Sequence, residues 1–249
     1  MIPAFLLVSG LLAQTSGAVP LEKKEADYPD VLKMAQKQGN VILIARIDRQ
    51  GRLQNDYPLA ASDEGFFEPA LAAVSTWKFK PAMKDGKPID IAANIGMRFR
   101  LQIPGKRGNL PQPMLGDLSV SPADASGKPT APEGFPVRRG SDPKIAVEAL
   151  LDVGLNPSAH SVPLIVEAWS PSTRRSTVYT DSILVPANAT ELKVSFSVPV
   201  AAEWEDGVWV LRFFINGEDA GGGQFWLAKD PGTFDFAAKM PKLKAGRKS

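Results

Sequence analysis

Apolar and polar positions change period several times along the chain, and each change predicts an element. Val41 to Asp48 reads as a strand with Val41, Leu43, Ala45 and Ile47 on one face, and Gln50-Gly51 turns it into a second strand over Leu53 to Leu59. That is a hairpin. Before it, Tyr28 to Lys37 has a short helical pattern: Asp27 is placed to cap it, Pro29 suits the first turn, and Val31, Met34 and Ala35 fall on one side. From Asp63 to Trp77 the period is again helical, with Phe67, Ala70, Leu71 and Val74 as an apolar stripe behind a Ser62 or Asp63 cap, until Pro81 stops it. After Asp85-Gly86, Ile89 to Leu101 alternates over its whole length. Ile89, Ile91, Ala93, Ile95, Met97, Phe99 and Leu101 face one way, and Asp90, Asn94, Arg98 and Arg100 the other, so one face packs on helices and the other is wet.

Between Ile103 and Pro143 the alternation fails and Pro and Gly accumulate, which places a domain boundary there. Beyond it only strand periods remain: Lys144 to Val153, Val162 to Trp169, Thr177 to Val185, Glu191 to Val198, Val208 to Asn216 and Gly223 to Ala228. Asn216-Gly217 is a hairpin turn joining the last two. Six or seven short strands in about 100 residues fit a β-sandwich. The expected organisation is a leader over 1–18, an α+β domain over 22–102, a linker over 103–118, an all-β immunoglobulin-like sandwich over 119–230 and a tail over 231–249.

Composition adds exclusions. The 249 residues carry 29 Lys plus Arg against 27 Asp plus Glu, no Cys and one His. Disulfides, thiolate catalysis and Cys-ligated metal are excluded, and so is any site needing two histidines, so no cofactor and no metal are expected. The chain carries no charge from Met1 to Leu21, and Ser16 and Ala18 stand third and first before a cut ahead of Val19, the pattern of a secretory signal. No other run approaches the roughly 20 apolar residues of a membrane span. The expected location is therefore the periplasm or the medium. Lys239, Lys242, Lys244, Arg247 and Lys248 make the tail basic, which reads as a solubilising end and not as a nucleic-acid site.

Catalytic signals are weak. His160 lies in Ser158-Ala159-His160-Ser161 with no orienting acid and no nucleophile elbow, so it reads as an exposed loop residue. Gly221-Gly222-Gly223 lacks the Lys and Ser or Thr of a phosphate loop and reads as a hairpin exit or bulge. Asp48, Asp56, Asp63 and Glu64 stand at turns and a helix start, where carboxylates are expected. Trp204, Trp209, Phe213, Phe214, Phe225 and Trp226 offer either a sugar-stacking surface or a core.

One stretch has a more specific signature. Tyr28-Pro29, Gly39-Asn40-Val41, Ile47 to Leu53, Ala70-Leu71, Trp77-Lys78-Phe79-Lys80-Pro81-Ala82, Asp85-Gly86-Lys87-Pro88-Ile89 and Met97-Arg98-Phe99 together resemble the TonB C-terminal domain family, over residues 28–101. The resemblance implies a small antiparallel sheet with two helices, whose members bind short segments of outer-membrane transporters along the last strand. On that strand Ile89, Ile91, Asn94, Ile95, Met97, Arg98 and Arg100 are the expected peptide-binding residues, with Asn94, Arg98 and Arg100 selecting acidic or polar side chains. The expected function is an exported, non-enzymatic module that docks an extended segment at a sheet edge. The alternatives are a TonB-type energy transducer and, lower, a glycan-binding or hydrolytic protein. A linker, the sandwich, or a second copy in a homodimer are the other ways to cover the same edge.

Overall fold

The structure is a computed structural model and describes residues 15–101, 113–153, 158–170, 172 and 174–230, without the side chains of residues 55–57. The expected leader up to residue 14, most of the expected linker and the basic tail lie outside the described residues. An N-terminal arm enters first. Ser16 exchanges two main-chain hydrogen bonds of 2.9 Å with Met83, and β1 (Val19–Glu22) lies exposed on the surface. Residues on both sides of the expected cut before Val19 are thus paired with the domain that follows.

Helix α1 (Asp30–Met34) is shorter than expected and turns the other way. Val31 and Met34, read as its inner face, are 72% and 80% exposed, while Leu32 is buried. A helix of five residues is too short for periodicity to fix its face; its rotation is set by Leu32, which packs beside Phe66 in the core, and no side chain caps its start. Gln36, at φ 52°, reverses the chain into β2 (Gly39–Ile47). Strand β2 pairs antiparallel with β3 (Leu53–Ala61), as expected.

Asp48 holds the turn between them. Its Oδ1 accepts from the amides of Gln50 (2.9 Å) and Arg52 (3.0 Å), and its Oδ2 from the Arg52 guanidinium (2.9 Å). Burial pushes the Asp48 carboxyl up, but the Arg52 and Gln50 hydrogen bonds outweigh it and hold it below its ordinary range. A depressed carboxylate stabilises the fold above the unfolded value of about 4, and the contribution is lost as pH falls through the folded value. Asp48→Asn should therefore cost about 1 to 2 kcal/mol at pH 7 and flatten the acid limb of the stability profile, as read by urea melts from pH 7 to 3.

A 3-10 turn over Glu64–Phe66, capped by Asp63, leads into α2 (Phe67–Val74). Ala70, Ala73 and Val74 face inward. Strand β4 (Lys78–Lys80) follows and pairs with β1, and β5 (Ala82–Lys84) forms a hairpin with β6 (Lys87–Ile89). The long strand expected over Ile89 to Leu101 is two strands: Asp90, whose Oδ1 accepts from the Arg49 amide (3.1 Å), breaks it, and β7 (Ile91–Phe99) starts afresh. The sheet order is β3-β2-β7.

The second half has β8 (Met114–Ala123), β9 (Val137–Arg138), β10 (Lys144–Asp152), β11 (His160–Trp169), β12 (Arg175–Val185), β13 (Glu191–Pro199), β14 (Gly207–Ile215) and β15 (Glu218–Ala228). They form two sheets, β13-β10-β8 and β12-β11-β14-β15-β9. The β-rich expectation holds, with a curled half-barrel sheet among the strands. Strand β8 was missed, because its Gly116, Asp117, Ser119 and Pro122 read as linker; Met114–Leu118 are strand.

The expected wet face of the first sheet is dry. Strand β2 is buried almost throughout, because α2 covers one face and β8 and β15 the other. Ile42 of β2 belongs to the core of the second half, and Phe135 of the second half belongs to the core under α2. Ala92, Val208 and Trp226 make a third cluster across the boundary. Glycines permit this approach: a Cβ on Gly96 would stand 2.1 Å from the Gly116 carbonyl oxygen, and one on Gly223 2.4 Å from Leu118. Gly221, at φ 108°, sits in the β-bulge where β15 slips against β14, in accord with the bulge reading of that triplet.

Candidate functional site

Strand β7 is the last strand of its sheet, paired with β2 on one side. The Ala92 amide points the other way and donates to the Gly134 carbonyl at 2.9 Å, while the Gly134 amide donates to Val120 of β8 at 3.0 Å. Alternation along a strand then directs the amides and carbonyls of Asn94, Gly96 and Arg98 to this outer side as well. Among the described residues those groups have no main-chain partner.

Two cavities lie end to end along that edge. The first, about 200 Å³, is walled by Ile91 to Gly96, by Ala18, Pro20 and Lys23 of the arm, by Trp77 and Phe79, and by Asp117, Leu118, Val120 and Glu133 of the second half. The second, about 470 Å³, runs from Gly96 to Arg100 opposite Lys23 to Ala26 and Tyr28. Lys23, Trp77 and Gly96 line both, so the two form one groove. Its arm-side wall is fixed at Trp77, whose Nε1 donates to the Lys24 carbonyl at 2.9 Å and whose ring carries the Lys23 ammonium at 5.0 Å. Burial pushes the Tyr28 phenol up, with Arg100 offsetting part of the effect, so Tyr28 is a neutral donor to the Lys37 carbonyl at neutral pH.

The expected peptide-binding residues divide into three groups. Ile91, Ile95 and Met97 turn their side chains under the sheet, at 4%, 7% and 9% exposure, and meet the groove beside the edge. Ile89 belongs to the β5–β6 hairpin and is not on β7. Asn94, Arg98 and Arg100, expected to select acidic side chains, are turned to the second half. The Asn94 amide clasps the main chain of Gln224 like a neighbouring strand, accepting from its N–H (2.7 Å) and donating to its carbonyl (3.1 Å). Gln224 answers with Nε2, which donates to Ala45 (2.7 Å) and Ala93 (3.2 Å).

Arg98 pairs with Glu191 at 2.7 Å and Asp152 at 3.4 Å, and Arg100 with Asp152 at 2.9 Å. Arg100 also donates to the Gly39 carbonyl and to Asn40 Oδ1, both at 2.7 Å, and Asn40 donates to Asp152. These cations are neutralised from within the chain. Sequence reading missed Asp117, Glu133 and Lys23 as groove residues. Asp117 and Glu133 fall in the Pro- and Gly-rich stretch, and no local pattern marks them.

The other candidates resolve into structure. His160 opens β11 on the surface, its Nδ1 3.4 Å from the Ser158 carbonyl. Trp204, Trp209, Phe213, Phe225 and Trp226 are buried, with Trp204 stacked on Trp209 at 4.4 Å, and Phe214 is half-buried. They are core, not a sugar platform. Asp48 and Asp63 cap a turn and a helix start, the latter held below its usual range by the Lys37 ammonium. The side chain of Asp56 lies outside the described residues. Among the described residues no helix is long and apolar enough to cross a membrane.

Residues 24–101 match the family model described as Gram-negative bacterial TonB protein C-terminal. Protein TonB of Vibrio cholerae serotype O1 is 32% identical over 76 residues, which are 30% of this chain and 31% of that protein. The chain thus spans under a third of that relative. Among solved structures, the Pseudomonas fluorescens alkylpurine DNA glycosylase AlkC, bound to DNA containing an abasic site analog, aligns over 47% of this chain and 30% of its own. At 14% identity and a TM-score of 0.36 that likeness carries no argument. The family match, the relative and the quoted motifs agree on the same stretch: residues 24–101 of this chain are a TonB C-terminal domain.

Proposed function

We propose that the chain is an exported, non-enzymatic protein-binding module of the TonB type, which docks an extended segment of a partner as an added strand on β7. The partner class that fits the family is a periplasm-facing segment of an outer-membrane transporter. The observation that carries the reading is the outer edge of β7, where the main-chain groups of Asn94, Gly96 and Arg98 face a groove instead of a strand. Main-chain hydrogen bonds supply sequence-independent affinity, and the pockets at alternate positions supply selection.

Chemical-shift mapping with extended peptides tests it. The amides of Asn94, Gly96 and Arg98 should move first and furthest. N-methylation of the peptide at alternate residues should weaken binding about tenfold or more in one register and little in the other, since only alternate amides face β7. A proline at Asn94 is a poor control here, because it also removes the clasp on Gln224. Shifts confined to other surfaces, or equal effects of both N-methyl registers, would sink the reading.

A further inference from the structure

Resting on that reading, we infer that the second half of the chain, and not the TonB domain, sets which segment docks, and that it selects one bearing two basic side chains four residues apart with apolar residues between them on the opposite face. The walls of the groove differ in charge. On the arm side, Pro20, Trp77 and Phe79 are apolar, and the cation there, Lys23, is held over the Trp77 ring. On the other side stand two carboxylates, Asp117 of β8 and Glu133, both on exposed residues.

Neither enters an ion pair among the described residues; Asp117 Oδ1 accepts from the Leu118 amide of its own strand at 2.9 Å. The cations of β7 cannot answer them, since Arg98 and Arg100 are committed to Glu191 and Asp152. The negative side of the groove is therefore left for a ligand to neutralise.

Spacing follows from the strand. The Asp117 Cα lies 3.4 Å from where a Gly96 Cβ would stand, and Glu133 precedes the glycine bonded to Ala92. Ala92 and Gly96 are four residues apart, about 13 Å along a strand, and positions i and i+4 of a docked strand share one face. The Ala92 amide is already taken by Gly134, so a docked strand pairs with β7 from Asn94 outward and its end residue reaches the level of Ala92 beside Glu133. Lys or Arg at that end and opposite Gly96 meets Glu133 and Asp117, while the odd positions turn to Trp77, Phe79 and Pro20. This reverses the acidic preference expected from Asn94, Arg98 and Arg100 in the sequence.

Anisotropy titrations of the full chain with labelled nine-residue peptides decide it. One peptide carries Lys at i and i+4 between apolar residues, a second has Ser at both positions, a third Glu. The Lys peptide should bind about tenfold tighter than the Ser peptide, the Glu peptide weakest, with the gap closing as salt is raised. In Asp117→Asn/Glu133→Gln the preference for the Lys peptide over the Ser peptide should vanish; both changes are isosteric on exposed side chains, and an unchanged amide spectrum confirms the fold. Equal binding of the Lys and Ser peptides with β7 amides shifted by both overturns the selection and leaves the docking reading standing. A Lys preference that survives the double variant also overturns it. Failure of every peptide to reach β7 overturns both.

Discussion

Trp77→Ala should lower the stability of the chain by roughly 3 to 5 kcal/mol, the usual result of emptying a large buried aromatic site. Trp77 is 9% exposed, its ring lies 6.3 Å from Phe79, and its indole N–H is satisfied by the Lys24 carbonyl. Truncation therefore leaves a void under β7 and an orphaned carbonyl on the arm. Denaturant melts measure the loss. A midpoint that barely moves would mean the arm and β4 collapse into the space. Trp77 also lines both cavities, so the same change should widen the groove where they meet. Trp77→Phe separates the roles: it keeps most of the packing, loses the Lys24 hydrogen bond, and should cost about 1 to 2 kcal/mol.

Elements marked by local periodicity and turn residues were legible in the sequence. The β2–β3 hairpin, helix α2 and strands β10 to β14 lie close to where alternation and turn residues such as Gln50-Gly51 and Asn216-Gly217 put them, whereas β15 starts at Glu218, ahead of the expected Gly223, because the strand runs through its glycine bulge. The TonB signature was legible too, since Trp77 to Pro81 and Asp85 to Ile89 encode the close of α2 and the β5–β6 hairpin directly.

What sequence could not show is the second covering of the first sheet. Arg98 and Arg100 look solvated from their neighbours, and the acid that receives them, Asp152, is 52 residues beyond Arg100. A polar position that pairs across two halves has the same local pattern as one that faces water. Strand β8 failed for the opposite reason. Its turn-forming residues are tolerated because β10 supplies its ladder and Gly96 and Gly134 let the first sheet come close. The groove depends on β8 and on Glu133, so half of the site was hidden with it.

Asp152→Ala should produce the second large loss, about 3 kcal/mol, because it removes the buried acceptor on which the two halves converge. The Asp152 side chain is 5% exposed, and it takes Arg100, Arg98 and Asn40 at once. Without it, Arg100 keeps the Gly39 carbonyl and Asn40, and Arg98 keeps Glu191. The Arg100 and Arg98 side chains are 36% and 32% exposed, which places the cost at the lower end for a broken buried pair. Arg98→Ala, which leaves Asp152 partnered, should cost about 1 kcal/mol. Because Ile42 and Phe135 are each buried in the other half's core, the loss should appear as a shift of one cooperative transition and not as early melting of a separate TonB domain. Urea melts followed by tryptophan fluorescence and by far-UV circular dichroism provide the measurement. Trp77 reports the first half, and Trp204, Trp209 and Trp226 the second. Coincident curves displaced together bear out one folding unit locked at Asp152. Two resolved transitions, with only the first moved, would instead mean that the boundary between the halves contributes little to either.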